Sequence, residues 1–309
     1  MPEISVVMST YNTGKWLSLC IESILSQSFE DFEFIIVDDG STDDSAAILA
    51  DYQRRDPRIH VISQENQGLT RSLNIALSRA RGRYIARQDA DDLSLPNRFE
   101  VQLAFLGSHP DIVLIGSDAT AIDEQGEELV TVRNSRKSNL RRQLKRHNLF
   151  VHGSIMFRRV IDGESIVYDN FYLKGQDYDL LLRMSELGDI SIVPEVLYQW
   201  RMSRSAIVGT NVNVYGERAR ANHLLRLAGE PEDYTPFTQD EITPRPSEGS
   251  WQINMGIRYL SGYCTAKARK SFLEAISHYR YSQQDYWRCL KFIAITYLPQ
   301  SLLRFIRER

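Results

Sequence analysis

Short apolar runs alternate with helical stripes through the first hundred residues. Ile4–Ser9 is a near-continuous apolar, β-branched run, the pattern of a strand buried on both faces. Asn12, Thr13 and Gly14 break it and can cap a helix. Leu17, Cys20, Ile21, Ile24 and Leu25 then recur at helical spacing as one stripe. Phe34–Val37 predicts a second buried strand, stopped by the turn and N-cap residues of 38–43. A helix through Ile48, Leu49 and Tyr52 follows, then a short strand at Ile59–Ile62. Leu69, Leu73, Ala76, Leu77 and Ala80 mark another helix, and Tyr84–Arg87 a fourth strand ending in Asp89-Ala90-Asp91-Asp92. Pro96 sits where a first helical turn accepts it, ahead of Phe99, Leu103 and Leu106. This β-α-β-α-β-α-β order predicts an α/β fold: a mostly parallel sheet with helices on both faces. Such sheets bind ligands beyond the carboxyl ends of their strands. Tyr11-Asn12, Asp38-Asp39 and the acids of 89–92 all fall at those ends. Neither standard glycine-rich phosphate loop is present.

The second half reads differently. Ile112–Gly116 predicts a strand and Gly126 a hairpin turn. Ser154–Phe157 and Ile192–Trp200 predict further strands, and Tyr178–Met184 a buried helix. From about Val214 the pattern is mainly helical, with stripes at Phe272, Ile276 and Tyr279 and at Trp287, Leu290, Ala294 and Tyr297. Pro231, Pro236, Pro244 and Pro246 make 229–249 a loop or linker. The organisation predicted is one domain over 1–210 and a mainly helical C-terminal region over 211–309.

The net charge is −3 over 309 residues, so no global basic field points to nucleic acid. The N-terminus lacks a basic n-region, and no apolar stretch reaches the ~18 residues of a membrane span. Cys20, Cys264 and Cys289 match no zinc spacing and fit ordinary thiols of a reducing cytoplasm. Arg133, Arg136, Lys137, Arg141, Arg142, Lys145 and Arg146 occupy 133–146 with no acid. With Leu140 and Leu144 they predict an amphipathic helix with a solvated basic face; contact with anionic lipid head groups or a lipid diphosphate is the sharper alternative. The apolar and basic tail, QSLLRFIRER, either lies in a membrane interface or docks on its own domain.

Three acidic constellations carry candidate chemistry. Asp89, Asp91 and Asp92 make a concentrated hard-oxygen site suited to Mg²⁺ or Mn²⁺, or else an acidic loop capping the next helix. Asp38-Asp39 offers a carboxylate to a base N–H or a ribose hydroxyl, or caps a helix. Asp177, after Gly175-Gln176, is a general base or an N-cap.

Taken together, SVVMSTYN (5–12), VDDGSTDD (37–44), NQGLTRSLN (66–74), ARGRYIARQDADD (80–92), HGSIMFRR (152–159) and GQDYDLLLRM (175–184) resemble glycosyltransferase family 2, over about the first 205 residues. The resemblance implies the GT-A fold, with a nucleotide-binding half at about 1–95 and an acceptor half at about 96–210. It implies an inverting, metal-dependent transfer of a hexosyl or hexosaminyl group from a nucleotide sugar, UDP-linked, to a hydroxyl of a saccharide or lipid-linked saccharide. It implies that Thr10, Tyr11, Asp39 and Arg71 line the nucleotide site, and that Asp91 meets the donor ribose or the metal. Asp92 is then the metal-proximal acid, Mn²⁺ or Mg²⁺ the cofactor, and Asp177 the general base. Where the family often has Glu before that aspartate, this chain has Gln176. His152 matches a histidine beside the site, with a core histidine as the competing role. Arg201 resembles a residue that folds over the diphosphate. A cytoplasmic protein, peripheral on the inner membrane face, is expected. A non-catalytic nucleotide-sugar binding module of the same fold is the alternative; a nucleotidyltransferase is a third, without the basic glycine-rich loop it needs.

Overall fold

The computed structural model describes residues 1–202, 212–238, 265–278 and 283–299. Nine strands of these residues form one curled sheet. Four are the strands expected in the first half: β1 (Ile4–Thr10), β2 (Phe32–Asp38), β3 (Ile59–Ser63) and β4 (Tyr84–Arg87). They lie in the order β3-β2-β1-β4, all parallel. The chain therefore steps outward from β1 to β3 and returns to the other side of β1 at β4. In open α/β sheets ligands bind beside such a reversal, here at the carboxyl ends of β1 and β4. The linking helices are α1 (Gly14–Leu25), α2 (Ser45–Arg55) and α3 (Leu69–Arg79). Their apolar stripes explain the packing: Leu17, Cys20, Ile21 and Ile24 of α1 are sealed against Val6, Met8, Phe34 and Ile36.

Beyond β4 the sheet turns antiparallel. The order continues β8-β6-β11-β5, from β8 (Met156–Arg158), β6 (Ile112–Ile122), β11 (Asp189–Arg201) and β5 (Leu93–Ser94). β6 runs well past the predicted Gly116. In its second half Ser117, Asp118 and Thr120 are polar yet buried. Asp118 accepts from the Ser135 amide and hydroxyl, at 3.0 and 2.7 Å. α4 (Arg98–Ser108) starts after Asn97, so Pro96 precedes the helix rather than sitting in its first turn. α6 (Gln176–Leu187) is the predicted buried helix, and α7 (Val212–Ala228) ends at Gly229 in the left-handed conformation, φ 72°.

The basic stretch departs from the expected single amphipathic helix. It forms a 3-10 turn at Asn134–Arg136 and a five-residue α5 (Leu140–Leu144). Asn139 stands between them at φ 58°, which no continuous helix passes through. Local bonds fix this path: Asn134 Nδ2 donates to the Leu149 carbonyl at 2.6 Å, and the Ser135 pair holds Asp118.

Two compact units divide the chain. The first comprises 1–119, 134–200 and 213–236; the second comprises 120–133, 201–212 and 237–309. Within the second, Gly126 turns the hairpin into β7 (Glu128–Val132) at φ 94°, and the Thr120 and Thr131 hydroxyls meet at 2.9 Å. α8 (Thr265–His278) and α9 (Gln283–Ile295) pack through Ala268, Phe272, Ala275 and Cys289. Tyr279, Pro244, Pro246, Cys264 and the 300–309 tail lie outside the described residues. Among the described residues no helix is long and apolar enough to cross a membrane.

Candidate active site

The nucleotide-side residues come together where β1 and β2 end. The Asp39 amide donates to the Thr10 carbonyl at 2.9 Å, tying the two strand ends. Thr10 is buried and its hydroxyl meets that of Thr13 at 2.5 Å; Tyr11, next along, is half exposed. Asn12 turns at φ 53° and reaches across to the β2 loop, taking the Thr42 amide at 2.8 Å and giving its own to Ser41 at 3.0 Å. Capping work falls to Asp38 and Asp43: Asp38 accepts from the Ser41 amide, Asp43 from those of Gly14 and Ser45. Asp39 is buried and holds the loop before α3. It accepts from Gln64 Nε2 at 2.7 Å, the Gln67 amide at 2.8 Å and the Gly68 amide at 2.9 Å. Arg71 is exposed in the first turn of the helix that this loop starts.

At the end of β4 the acids separate by environment. Asp92 is 4% exposed and accepts from the Tyr198 hydroxyl at 2.9 Å. That same hydroxyl takes the Asp89 amide at 3.2 Å. Asp91 is partly exposed, and Asp89 pairs with the buried Arg87 guanidinium. Burial alone would push Arg87 down, yet the Asp89 carboxylate outweighs it and holds the guanidinium above its usual range. Beneath them Arg98 is fully buried, with no carboxylate in hydrogen-bond contact among the described residues. Its guanidinium donates to Gln102, Gln88 and Ser94 and to the carbonyls of Arg87 and Ile155, between 2.8 and 3.2 Å. Burial lowers it to about 10, which still leaves it charged at neutral pH. Arg98 thus rivets the acidic loop to β4 and β8.

The third constellation faces the second. α6 begins after Gly175 at φ 67°, with no side-chain cap. Asp177 therefore is not the cap. Its Oδ2 accepts from Asn148 Nδ2 at 2.7 Å. Burial lifts its carboxyl above the ordinary aspartate range; the Tyr178 amide and Arg87 pull it back, and Asp89 adds to the rise. Asp179, by contrast, is sealed and pairs with Arg183 at 2.8 Å, a structural duty. His152 shares a 2.8 Å hydrogen bond with the buried Tyr168 hydroxyl. Burial, and then Arg87, hold its imidazole well below 6.5, so it is neutral. Arg87 therefore acts on both His152 and Asp177, and one polar cluster joins β4, β8 and α6.

The structure thus groups Thr10, Tyr11 and Asp39 at one pair of strand ends. Asp89, Asp91, Asp92, His152 and Asp177 form the cluster around β4. Arg201 belongs to the second unit, where it is buried and donates to the Asp123 carbonyl at 2.7 Å. Sequence reasoning passed over Arg87, Arg98, Asn148 and the role of Tyr198. The signal available was Arg87 closing the apolar run Tyr84–Ala86; Arg98, between Asn97 and Phe99, offered none.

Gly153 offers a sharp check on the Tyr198 anchor. A Cβ there would drive into the Tyr198 hydroxyl and ring. Gly153→Ala is expected to displace that hydroxyl and cost about 1–3 kcal/mol as overpacking. Urea melts of the variant measure it, and an unchanged midpoint would remove Tyr198 as the anchor.

The comparisons agree with this geometry. Residues 5–164 match the family model described as "Glycosyl transferase family 2". The putative glycosyltransferase EpsE of Bacillus subtilis is 38% identical over 215 residues, 66% of this chain and 75% of that protein. The amylovoran biosynthesis glycosyltransferase AmsE of Erwinia amylovora is 33% identical over 203 residues, 64% of this chain and 75% of its own. Residues 1–349 of S. aureus TarS, solved in complex with UDP, superpose with a TM-score of 0.54 at 18% identity, covering 88% of this chain and 90% of theirs, which carries the GT-A fold. With its parallel β3-β2-β1-β4 core, its matched segment and these relatives, the chain belongs to glycosyltransferase family 2.

Proposed function

We propose that this glycosyltransferase moves a hexosyl or hexosaminyl group from a UDP-sugar to a hydroxyl of a saccharide or lipid-linked saccharide, with inversion, in polysaccharide synthesis. The observation that carries the reading is Asp177. It is an orientated carboxylate of raised proton affinity, at the start of a helix, within electrostatic reach of the acidic loop at the end of β4. A base works best when its affinity is lifted toward the operating pH. TarS, solved with UDP, supports the donor, and the amylovoran biosynthesis enzyme supports the polysaccharide setting.

Thr10, Tyr11 and Asp39 would line the base and ribose. Asp39 would do so through the Gln64–Gly68 loop it orders as well as through its own oxygens. Arg71 would face the nucleotide from α3. Asp177 would take the acceptor proton as the hydroxyl oxygen attacks C1 from the face opposite the diphosphate, so the anomeric centre inverts.

No three His, Cys, Asp or Glu side chains among the described residues converge into a metal cage. That suits Mg²⁺ or Mn²⁺, which take one or two carboxylates and complete their shell with water and substrate phosphate. Asp91 would hold such an ion on the open side, with Asp92 behind it. The ion supplies charge neutralisation to the departing diphosphate.

UDP with Mn²⁺ is expected to raise the melting temperature, because a ligand specific for the folded state stabilises it by mass action, about 2.7 kcal/mol at 100 times Kd. Thermal shift with UDP, GDP and dTDP, each with Mn²⁺ or EDTA, reads it. Equal stabilisation in EDTA would remove the metal, and preference for another base would overturn the UDP assignment.

A further inference from the structure

The basic stretch is not absorbed by the chemistry above. Its second half is surface, tied to two helices by backbone bonds. Arg141 donates to the Gly188 carbonyl at the end of α6 at 2.7 Å, and the Tyr178 hydroxyl of α6 to the Leu144 carbonyl at 2.6 Å. Arg220 of α7 donates to the Arg146 carbonyl at 2.8 Å. The segment therefore keeps one position, with Arg141, Arg142, Lys145 and Arg146 all exposed.

α7 adds an apolar half. Leu224 and Leu227 follow Arg220 at i+4 and i+7, so all three share one face of the helix. The two leucines are 60% and 56% exposed. The acids at the border are engaged: Asp189 faces Arg141 at 3.3 Å, and Glu186 binds Arg226 and His223. Glu217, exposed one turn before Arg220, marks the limit of the patch. Arg220 links the leucine face of α7 to the Arg146 carbonyl, and cations joined to protruding leucines match a bilayer interface. The leucines enter the acyl boundary while the cations meet anionic head groups.

We propose that Arg141, Arg142, Lys145 and Arg146, with Leu224 and Leu227, form a docking surface for an anionic lipid bilayer. Asn148, two residues beyond Arg146, holds the candidate base, so docking would set the site beside the membrane.

Flotation of the full chain with vesicles tests this without any transfer assay, so its outcome is independent of the catalytic reading. Vesicles of phosphatidylcholine alone are compared with vesicles containing about one third phosphatidylglycerol, at low and high salt. Binding is expected to the anionic vesicles only and to be released by salt, since the Debye length shrinks to about 3 Å at 1 M. Arg142 and Lys145 are exposed and make no hydrogen bond or ion pair among the described residues, so Arg142→Gln/Lys145→Gln should fold normally. At about fivefold per cation, this double variant is expected to weaken partition by roughly 25-fold. Leu224→Gln/Leu227→Gln should weaken binding to the anionic vesicles at low salt. Equal binding to neutral vesicles, no binding to either, or full binding by the Arg142/Lys145 variant would each overturn the proposal.

Discussion

Asp177→Asn is expected to bind UDP like the wild type and to lose acceptor transfer by about 10²–10⁴-fold, the usual contribution of a general base. The geometry favours a clean variant. Asn presents an oxygen at the same place, so it still accepts from Asn148 Nδ2, now 2.7 Å from the carboxylate. The helix start is unaffected, because Gly175 is the N-cap. Stability should hold or rise. The folded carboxyl of Asp177 lies above its unfolded value, so the native state binds the proton more tightly between the ordinary 3.8 and that raised value. Stability therefore falls as pH climbs through that window, and the cost persists at neutral pH. An uncharged Asn does not bear it. The same shift sets the wild-type rate profile: transfer should fall on the acid side below an apparent pKa above 3.8. Single-turnover transfer by the folded variant, with UDP affinity in parallel, is the measurement. A variant within a few-fold of wild type would leave the mechanism without its base.

Some of this was legible in the chain and some was not, for reasons visible at particular residues. β1, β2 and β4 fall within about two residues of their apolar runs, because strands buried on both faces leave continuous signals. Gly126 announced its hairpin, because a turn at φ 94° favours glycine. Asp177 could be read as a carboxylate at a helix start. Its orientation could not, because Asn148 lies 29 residues away and contacts it only in the fold. Asp39 was legible as a strand-end acid, while its three bonds to Gln64–Gly68 depend on β2 and β3 lying side by side. Arg98 reads as surface by composition; burial with all five N–H groups satisfied is a property of its surroundings. The basic stretch misled for a similar reason. Charge and two leucines suggested a helix, but the Ser135–Asp118 bonds and Asn139 at φ 58° decide the path.

The second large effect concerns the acidic loop, where the structure divides labour between adjacent carboxylates. Asp91→Ala is expected to leave the ligand-free melting temperature close to wild type, since the residue is partly exposed and surface changes usually stay within about 0.5 kcal/mol. It should lose the Mn²⁺-dependent part of nucleotide stabilisation and roughly 10²-fold or more of turnover, because the ion neutralising the diphosphate is then poorly held. Asp92→Ala should behave in the opposite order. It strips the acceptor from the Tyr198 hydroxyl, buried and 2.9 Å away, and an unsatisfied buried donor costs about 1–3 kcal/mol. Arg98, stacked over the Tyr198 ring at 5.1 Å, gives that loss a route into the β4–β8 junction. The ligand-free melting temperature should therefore fall for Asp92→Ala before any nucleotide is added. Melting curves of both variants, with and without UDP and Mn²⁺, separate the two roles. If Asp91→Ala kept full metal-dependent stabilisation, the cation would have to sit on other carboxylates. If Asp92→Ala melted like wild type, the Tyr198 bond would contribute nothing, and Asp92 would revert to a plain metal ligand.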